Sequence, residues 1–170
     1  AFSKDIWSED NFFFEADLLL GLDSFINKDY SKAEKYFKRL NKIPQYNVFY
    51  EDFLGNILVA WTKASENKKK DSFNFLNKIS ERYHNLKKIQ NSFLQCYFDT
   101  STTQIAFEQL INSEDSNFSR YNFFLTNYLL FKNKNLEAKK VIKLSRRTYN
   151  TNLLIKQAEI FILAGKSNKI

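Results

Sequence analysis

The chain has 170 residues, of which 44% are hydrophobic and 26% charged, and a mean hydropathy of -0.48; it is long enough for one substantial core and too polar for a membrane bundle. The uncharged apolar run 160–165 falls far short of the roughly 20 residues that cross a bilayer, and three glycines with one proline leave few places for tight hairpins or phosphate-cradling loops, so the composition predicts an all-α chain. The net charge of +7 is polarised: residues 1–115 hold 15 Lys/Arg against 17 Asp/Glu, and residues 116–170 hold 11 against 2.

In chain order, Ser8 followed by Glu9 and Asp10 reads as an N-cap with acids at the positive end of a helix dipole, and a helix is predicted over 9–26. Leu18, Leu22, Phe25 and Ile26 give it the spacing of a buried stripe. Asn27, Lys28 and Asp29 then interrupt as a turn, and Asp29 caps a helix over 30–42 that buries Ala33, Phe37 and Leu40 beneath Lys32, Lys35, Lys38 and Arg39. After Pro44, a helix over 48–65 aligns Phe49, Phe53, Ile57 and Ala60, with Asp52, Asn56 and Lys63 as a narrow polar edge. A turn over 66–70 leads to a helix over 72–82 that points Phe75, Leu76 and Ile79 inward. The third hairpin pairs 86–99 with 103–111, and Thr100, Ser101 and Thr102 supply capping hydroxyls between them. The fourth pairs 119–131 with 136–147; Asn117 or Ser119 caps it, so the triplet Asn117-Phe118-Ser119 reads as a helix start rather than a glycosylation site. A last helix over 151–163 ends at Gly165.

Four small residues organise these hairpins. Ala33, Ser72, Ala106 and Ala138 recur at separations of 39, 34 and 32, and four residues after each comes a bulky apolar residue, Phe37, Leu76, Leu110 or Ile142. A period near 34 residues is the signature of stacked helical hairpins, in which one unit cannot bury its apolar face alone. The expectation is a single array over 1–170, an all-α right-handed solenoid of about four antiparallel helix pairs plus a terminal helix. Its units lie at about 9–43, 47–82, 85–112 and 118–148, with a partial unit at 150–170.

The first unit resembles a tetratricopeptide repeat: Leu20-Gly21 in the first helix, Ala33 twelve residues after the glycine, then Phe37, and Pro44 near the unit's end. Small residues let two helix backbones approach, and the large residue one turn on fills the groove between them. In later units Ala60, Leu94, Thr126 and Ala158 stand in place of Gly21. The resemblance implies that the first helices of successive units line a concave groove for a peptide or partner protein. Its positions here would be Leu18, Leu22 and Phe25, then Ile57, Trp61 and Ala64, then Lys88, Asn91, Gln95 and Phe98, then Arg120, Phe123, Asn127 and Leu130. It further implies an apolar first half with Trp61 as anchor and a polar, cationic second half suited to an acidic segment. Some members of the family clamp a C-terminal carboxylate; Lys88, Asn91 and Arg120 supply the residue types, with no matching pair in the first two units. Trp61, Phe98 and Phe123 read equally well as core.

The sequence has no Walker-type loop, Rossmann fingerprint, zincin pair or serine elbow. His84 is the single histidine and reads as a capping or surface residue; Cys96 is the single cysteine and reads as a buried thiol, so no intrachain disulfide, metal or cofactor is expected. Glu51-Asp52 and Glu114-Asp115 are adjacent and would diverge by about 100° on a helix, so they do not converge on one substrate atom. The function expected is a noncatalytic protein- or peptide-binding scaffold. The alternative is a helical repeat that binds nucleic acid through Lys139, Lys140, Lys143, Arg146 and Arg147, with Tyr121 or Tyr149 to stack on bases. The abundance of Lys, Asn, Ile and Phe is also what an AT-rich genome would supply. A start at Ala1 reads as a processed mature form or an excised fragment, which leaves cytoplasm and periplasm or envelope both open. Leu154, Ala158, Phe161 and Ile162 would be left uncovered at the other end, which predicts either a longer array or self-association through the C-terminal helix. Glu9, Asp10, Glu15 and Asp17 offer an acidic complement for head-to-tail contact.

Overall fold

A computed structural model describes residues 14–41, 53–112 and 121–148, with the backbone alone for 144–148. Among these residues the chain is all-α. Its helices are α1 (Phe14–Ile26), α2 (Tyr30–Leu40), α3 (Leu54–Ser65), α4 (Lys69–Asn77), α5 (His84–Tyr97), α6 (Thr103–Ile111), α7 (Asn122–Phe131) and α8 (Asn135–Thr148), and a 3-10 turn, Glu81–Tyr83, leads into α5.

The repeat is written in the backbone as well as in the side chains. α1 ends where Lys28 takes φ 61°, with the Lys28 N–H on Phe25 O at 3.0 Å and the Asp29 N–H on Ser24 O at 2.9 Å. These are the paired bonds of a Schellman-type C-cap, which satisfy carbonyls the helix leaves open. The pair recurs after α3 at Asn67, φ 59°, and after α7 at Asn133, φ 59°. In all three turns the small residue follows five positions after the left-handed one, and its N–H returns to Asp29 O, Lys68 O or Lys134 O at 2.9 to 3.0 Å. Asp99, φ 47°, is the fourth left-handed residue, but Ala106 follows it by seven. Turn length therefore accounts for part of the uneven spacing of the small residues.

The chain forms two compact units, Ala1–Phe98 and Asp99–Ile170. This division falls inside the third predicted hairpin, between α5 and α6. In the first unit α1 packs on α2, α2 on α3, α3 on α4, and both α3 and α4 on α5. Ala33, Phe37, Leu40 and Val59 form one buried cluster; Ala60, Ala64, Leu76, Ile79 and Leu94 form another. Gly21 lies against the Phe37 ring, where a Cβ would come within 2.6 Å of Cδ1, so the two backbones approach only because position 21 has no side chain. The residues in Gly21's place in α3, α5 and α7, namely Ala60, Leu94 and Thr126, are all buried. In the second unit α7 packs on both α6 and α8, over Ala106, Phe107, Leu110, Leu125, Leu129, Ala138 and Ile142.

Several local expectations shift. α4 begins three residues before the predicted start and ends at Asn77, because Lys68 rather than a later residue takes the N-cap and Ser80 starts the 3-10 turn. Asp29 caps α2 as predicted, its Oδ1 accepting from the Lys32 N–H at 3.2 Å. Thr102 occupies the N-cap of α6 without a side-chain cap bond; its hydroxyl lies 3.0 Å from that of Thr100, and Thr103 Oγ1 donates to Thr100 O at 2.9 Å. Asn56 and Lys63 are buried rather than forming a solvated edge, because each has a polar partner in the fold. The predicted caps Ser8, Asn117 and Ser119, and the helix over 151–163, lie outside the described residues.

Candidate functional site

Each first helix turns a polar residue inward at one recurring place, and hydropathy alone conceals it. Asp17, Asn56, Gln90 and Asn122 fall at separations of 39, 34 and 32, the spacings of the small residues. Asp17, Asn56 and Asn122 are buried and Gln90 half-buried. Asp17, 3% exposed, meets Arg39 across the first hairpin, Nε to Oδ2 3.1 Å. Burial pushes its carboxyl above the ordinary value and the Arg39 charge offsets this only in part. Asn41 Nδ2 donates to Asn56 Oδ1 at 3.3 Å. Gln90 Oε1 accepts from the Trp61 indole N–H at 2.8 Å. Buried polar groups need partners, and for Asp17, Asn56 and Gln90 the partner comes from another helix or its cap.

A second polar contact ties α2 to α3. Lys63 Nζ lies 2.6 Å from Glu34 Oε2 and 3.0 Å from Glu66 Oε2, while Glu34 also pairs with Lys38 at 2.7 Å and Glu66 with Lys68 at 2.7 Å. Burial opposes the charges of Glu34, Glu66 and Lys63, but the hydrogen bonds and opposite charges prevail: both glutamates are held below their ordinary values and Lys63 above its own.

Trp61 is half-buried. One side of its ring packs against the cluster of Ala60, Ala64, Leu76, Ile79 and Leu94, and its centroid lies 5.7 Å from that of Tyr97 in an edge-on contact. Tyr97 is 54% exposed and stacks edge-on to Phe98 at 5.2 Å. Gln90 and Tyr97 are seven residues apart and so share a side of α5, whereas Gln95 lies about 140° round from Gln90. The fold thus brings Trp61 together with Gln90 and Tyr97, neither of which was on the predicted groove. Lys88, exposed, and Asn91 and Gln95, half-buried, lie about 100–160° round α5 from Gln90, on its far side.

The remaining predicted groove residues divide between surface and core. Leu22 is exposed, while Leu18 and Phe25 pack on the first cluster and Ile57 and Phe98 on the second. Ala64, in the cluster with Leu76 and Leu94, and Leu130 are buried and do not line a surface. Ile26, expected in a buried stripe, is exposed, being about 140° round α1 from Gly21. In the second unit Phe123 lies edge-on to Phe124 at 5.5 Å, and Asn127 Nδ2 donates to Phe123 O at 2.8 Å, which occupies the amide that was expected to face a ligand. Tyr128 and Lys132 both reach Asp99, the left-handed residue of the turn after α5. Lys139, Lys140 and Lys143 are exposed along α8. Arg120, Tyr149 and the side chains of Arg146 and Arg147 lie outside the described residues. His84 is exposed at the start of α5, and Cys96 is half-buried rather than buried.

Among the described residues no group of His, Cys, Asp and Glu is arranged to hold a metal ion, and no helix is long and apolar enough to cross a membrane. No protein-family model, curated protein or solved structure matches the chain.

Proposed function

We propose that the chain is a noncatalytic protein- or peptide-binding scaffold, a tetratricopeptide-like array of helical hairpins wound as a right-handed solenoid. The observation that carries this reading is the surface shared by α3 and α5: Trp61 fixed by Gln90 and ringed by Tyr97. Half-buried tryptophan beside exposed tyrosine is the residue chemistry that dominates binding energy at protein interfaces. The hydrogen bond to Gln90 holds the indole in one orientation before any partner arrives, which lowers the ordering cost of binding. The partner expected is a peptide segment with an apolar or aromatic anchor that packs on Trp61 and Tyr97.

A pull-down with the chain at low and high salt, followed by titration of the recovered partner, tests this. Tyr97→Ala should weaken binding by about ten-fold, roughly 1.4 kcal/mol, with only a small drop in melting temperature, since the tyrosine is 54% exposed. Trp61→Phe should weaken it with a smaller loss of stability than Trp61→Ala. Unchanged affinity in both Tyr97→Ala and Trp61→Phe would remove this surface from the binding reading. The exposed Lys139, Lys140 and Lys143 favour the nucleic-acid alternative; recovery of nucleic acid that is lost steeply with salt would support it instead.

A further inference from the structure

We propose that the outward side of α1 docks an amphipathic helix of another protein whose apolar stripe is flanked by lysine or arginine. α1 turns Asp17, Gly21 and Ser24 inward. On its opposite side Leu19 is 66% and Ile26 76% exposed, with Leu22 exposed between them. The three stand at i, i+3 and i+7, the 3-4 spacing of a coiled-coil seam. A contiguous exposed row of large aliphatic residues is the kind of patch that marks an interaction surface.

The chain itself shows how such a side is filled. Leu58 of α3 stands 39 residues after Leu19, at the corresponding place in the next hairpin. It is half-buried and packs against the cluster of Ala33, Phe37 and Leu40, which α2 contributes. What covers that place on α3 is therefore a helix, and one with an apolar face and Lys32, Lys35, Lys38 and Arg39 around it.

Charge selects the occupant of α1. The helix carries Glu15, Asp17 and Asp23 and no basic residue; Asp17 is buried with Arg39, and Glu15 and Asp23 are exposed beside the leucines. A second copy pairing through its own α1 would set acid against acid, and one pairing head to tail would bring the stretch 151–163, whose Lys156 is offset by Glu159. Residues 1–13 hold one lysine against Asp5, Glu9 and Asp10, so their charge does not answer the acidic rim either. A helix with basic flanks satisfies both the seam and the rim.

The test uses the full chain and two synthetic amphipathic peptides with one leucine pattern, flanked by lysine in one and glutamate in the other. Calorimetric titration should give micromolar binding of the lysine peptide, weakened by salt, and at least about ten-fold weaker binding of the glutamate peptide. Leu19→Glu with Ile26→Glu should abolish binding with an unchanged melting temperature, and Leu19→Gln with Ile26→Gln repeats the test without added charge. Tyr97→Ala should leave this binding intact, which separates it from the α3–α5 surface. Failure of the lysine peptide to bind, equal binding of both peptides, or wild-type binding by both double variants would overturn the proposal. A concentration-dependent dimer in sedimentation that the double variants disperse would assign the side to a second copy and also overturn it.

Discussion

At the scale of single residues, stability in the first hairpin turns on Gly21, Ala33 and Phe37. Ala33 is fully buried at the contact of α1 with α2, so Ala33→Phe should overpack and destabilise by about 1–3 kcal/mol, read as a lowered midpoint in urea. Glycine to alanine inside a helix ordinarily stabilises by about 1 kcal/mol. At position 21 the sign should reverse, because the added Cβ meets the Phe37 ring. Gly21→Ala should lower the urea midpoint, and Phe37→Leu should recover part of that loss when the two are combined. Strict additivity in this double-mutant cycle would show that the ring and the glycine are not coupled.

At the scale of elements, the ion-pair set around Lys63 makes the α2–α3 contact sensitive to pH. Glu34 and Glu66 are held below the ordinary 4.5; their contribution is present above that value and is lost as pH falls through the depressed folded value. Lys63 is held above the ordinary 10.5, so its contribution is complete below 10.5 and is lost as pH rises through the folded value. Asp17 runs the other way. Its folded value is raised above 3.8, so it favours the folded state at low pH and loses that contribution as pH rises. Lys63→Met should lower stability at neutral pH by about 1–3 kcal/mol and flatten the acid limb of a stability–pH curve. An acid limb as steep as that of the wild type would mean that Lys38 and Lys68 suffice to hold the two glutamates. In the second unit Ala138 is fully buried and α8 packs on α7. Ala138→Phe should therefore raise hydrogen exchange in α7 together with α8; exchange confined to α8 would show that the two helices do not fold as one.

At the scale of the whole molecule, the net charge of +7 is the property most able to mislead. A basic chain attracts polyanions whatever its function, and that attraction is the part most sensitive to salt. Fluorescence anisotropy with a single-stranded RNA oligonucleotide should show binding that collapses between low and physiological salt, and the loss should follow Lys139→Ala, Lys140→Ala and Lys143→Ala as a set. Binding that persists at physiological salt and depends on base sequence would move the functional reading to nucleic acid.

The sequence alone determined the helical class, the turns and the small-residue repeat, because these depend on local spacing: Ala33, Ser72, Ala106 and Ala138 are buried where their period places them. Asp29 caps α2 for the same reason, since a cap is an interaction between residues three apart. What only the tertiary structure decided is which side of each helix meets which neighbour. Asn56 and Lys63 read as a solvated edge because the sequence does not display Asn41 and Glu34, the partners that allow them to be buried. Lys88, Asn91 and Gln95 read as the third unit's share of the groove, yet it is Gln90 and Tyr97, from the other side of α5, that meet Trp61, because spacing within one helix does not say which side faces the next. Leu22 and Ile26 read as members of a buried stripe and are exposed, since periodicity shows that a helix has an apolar side but not whether anything covers it.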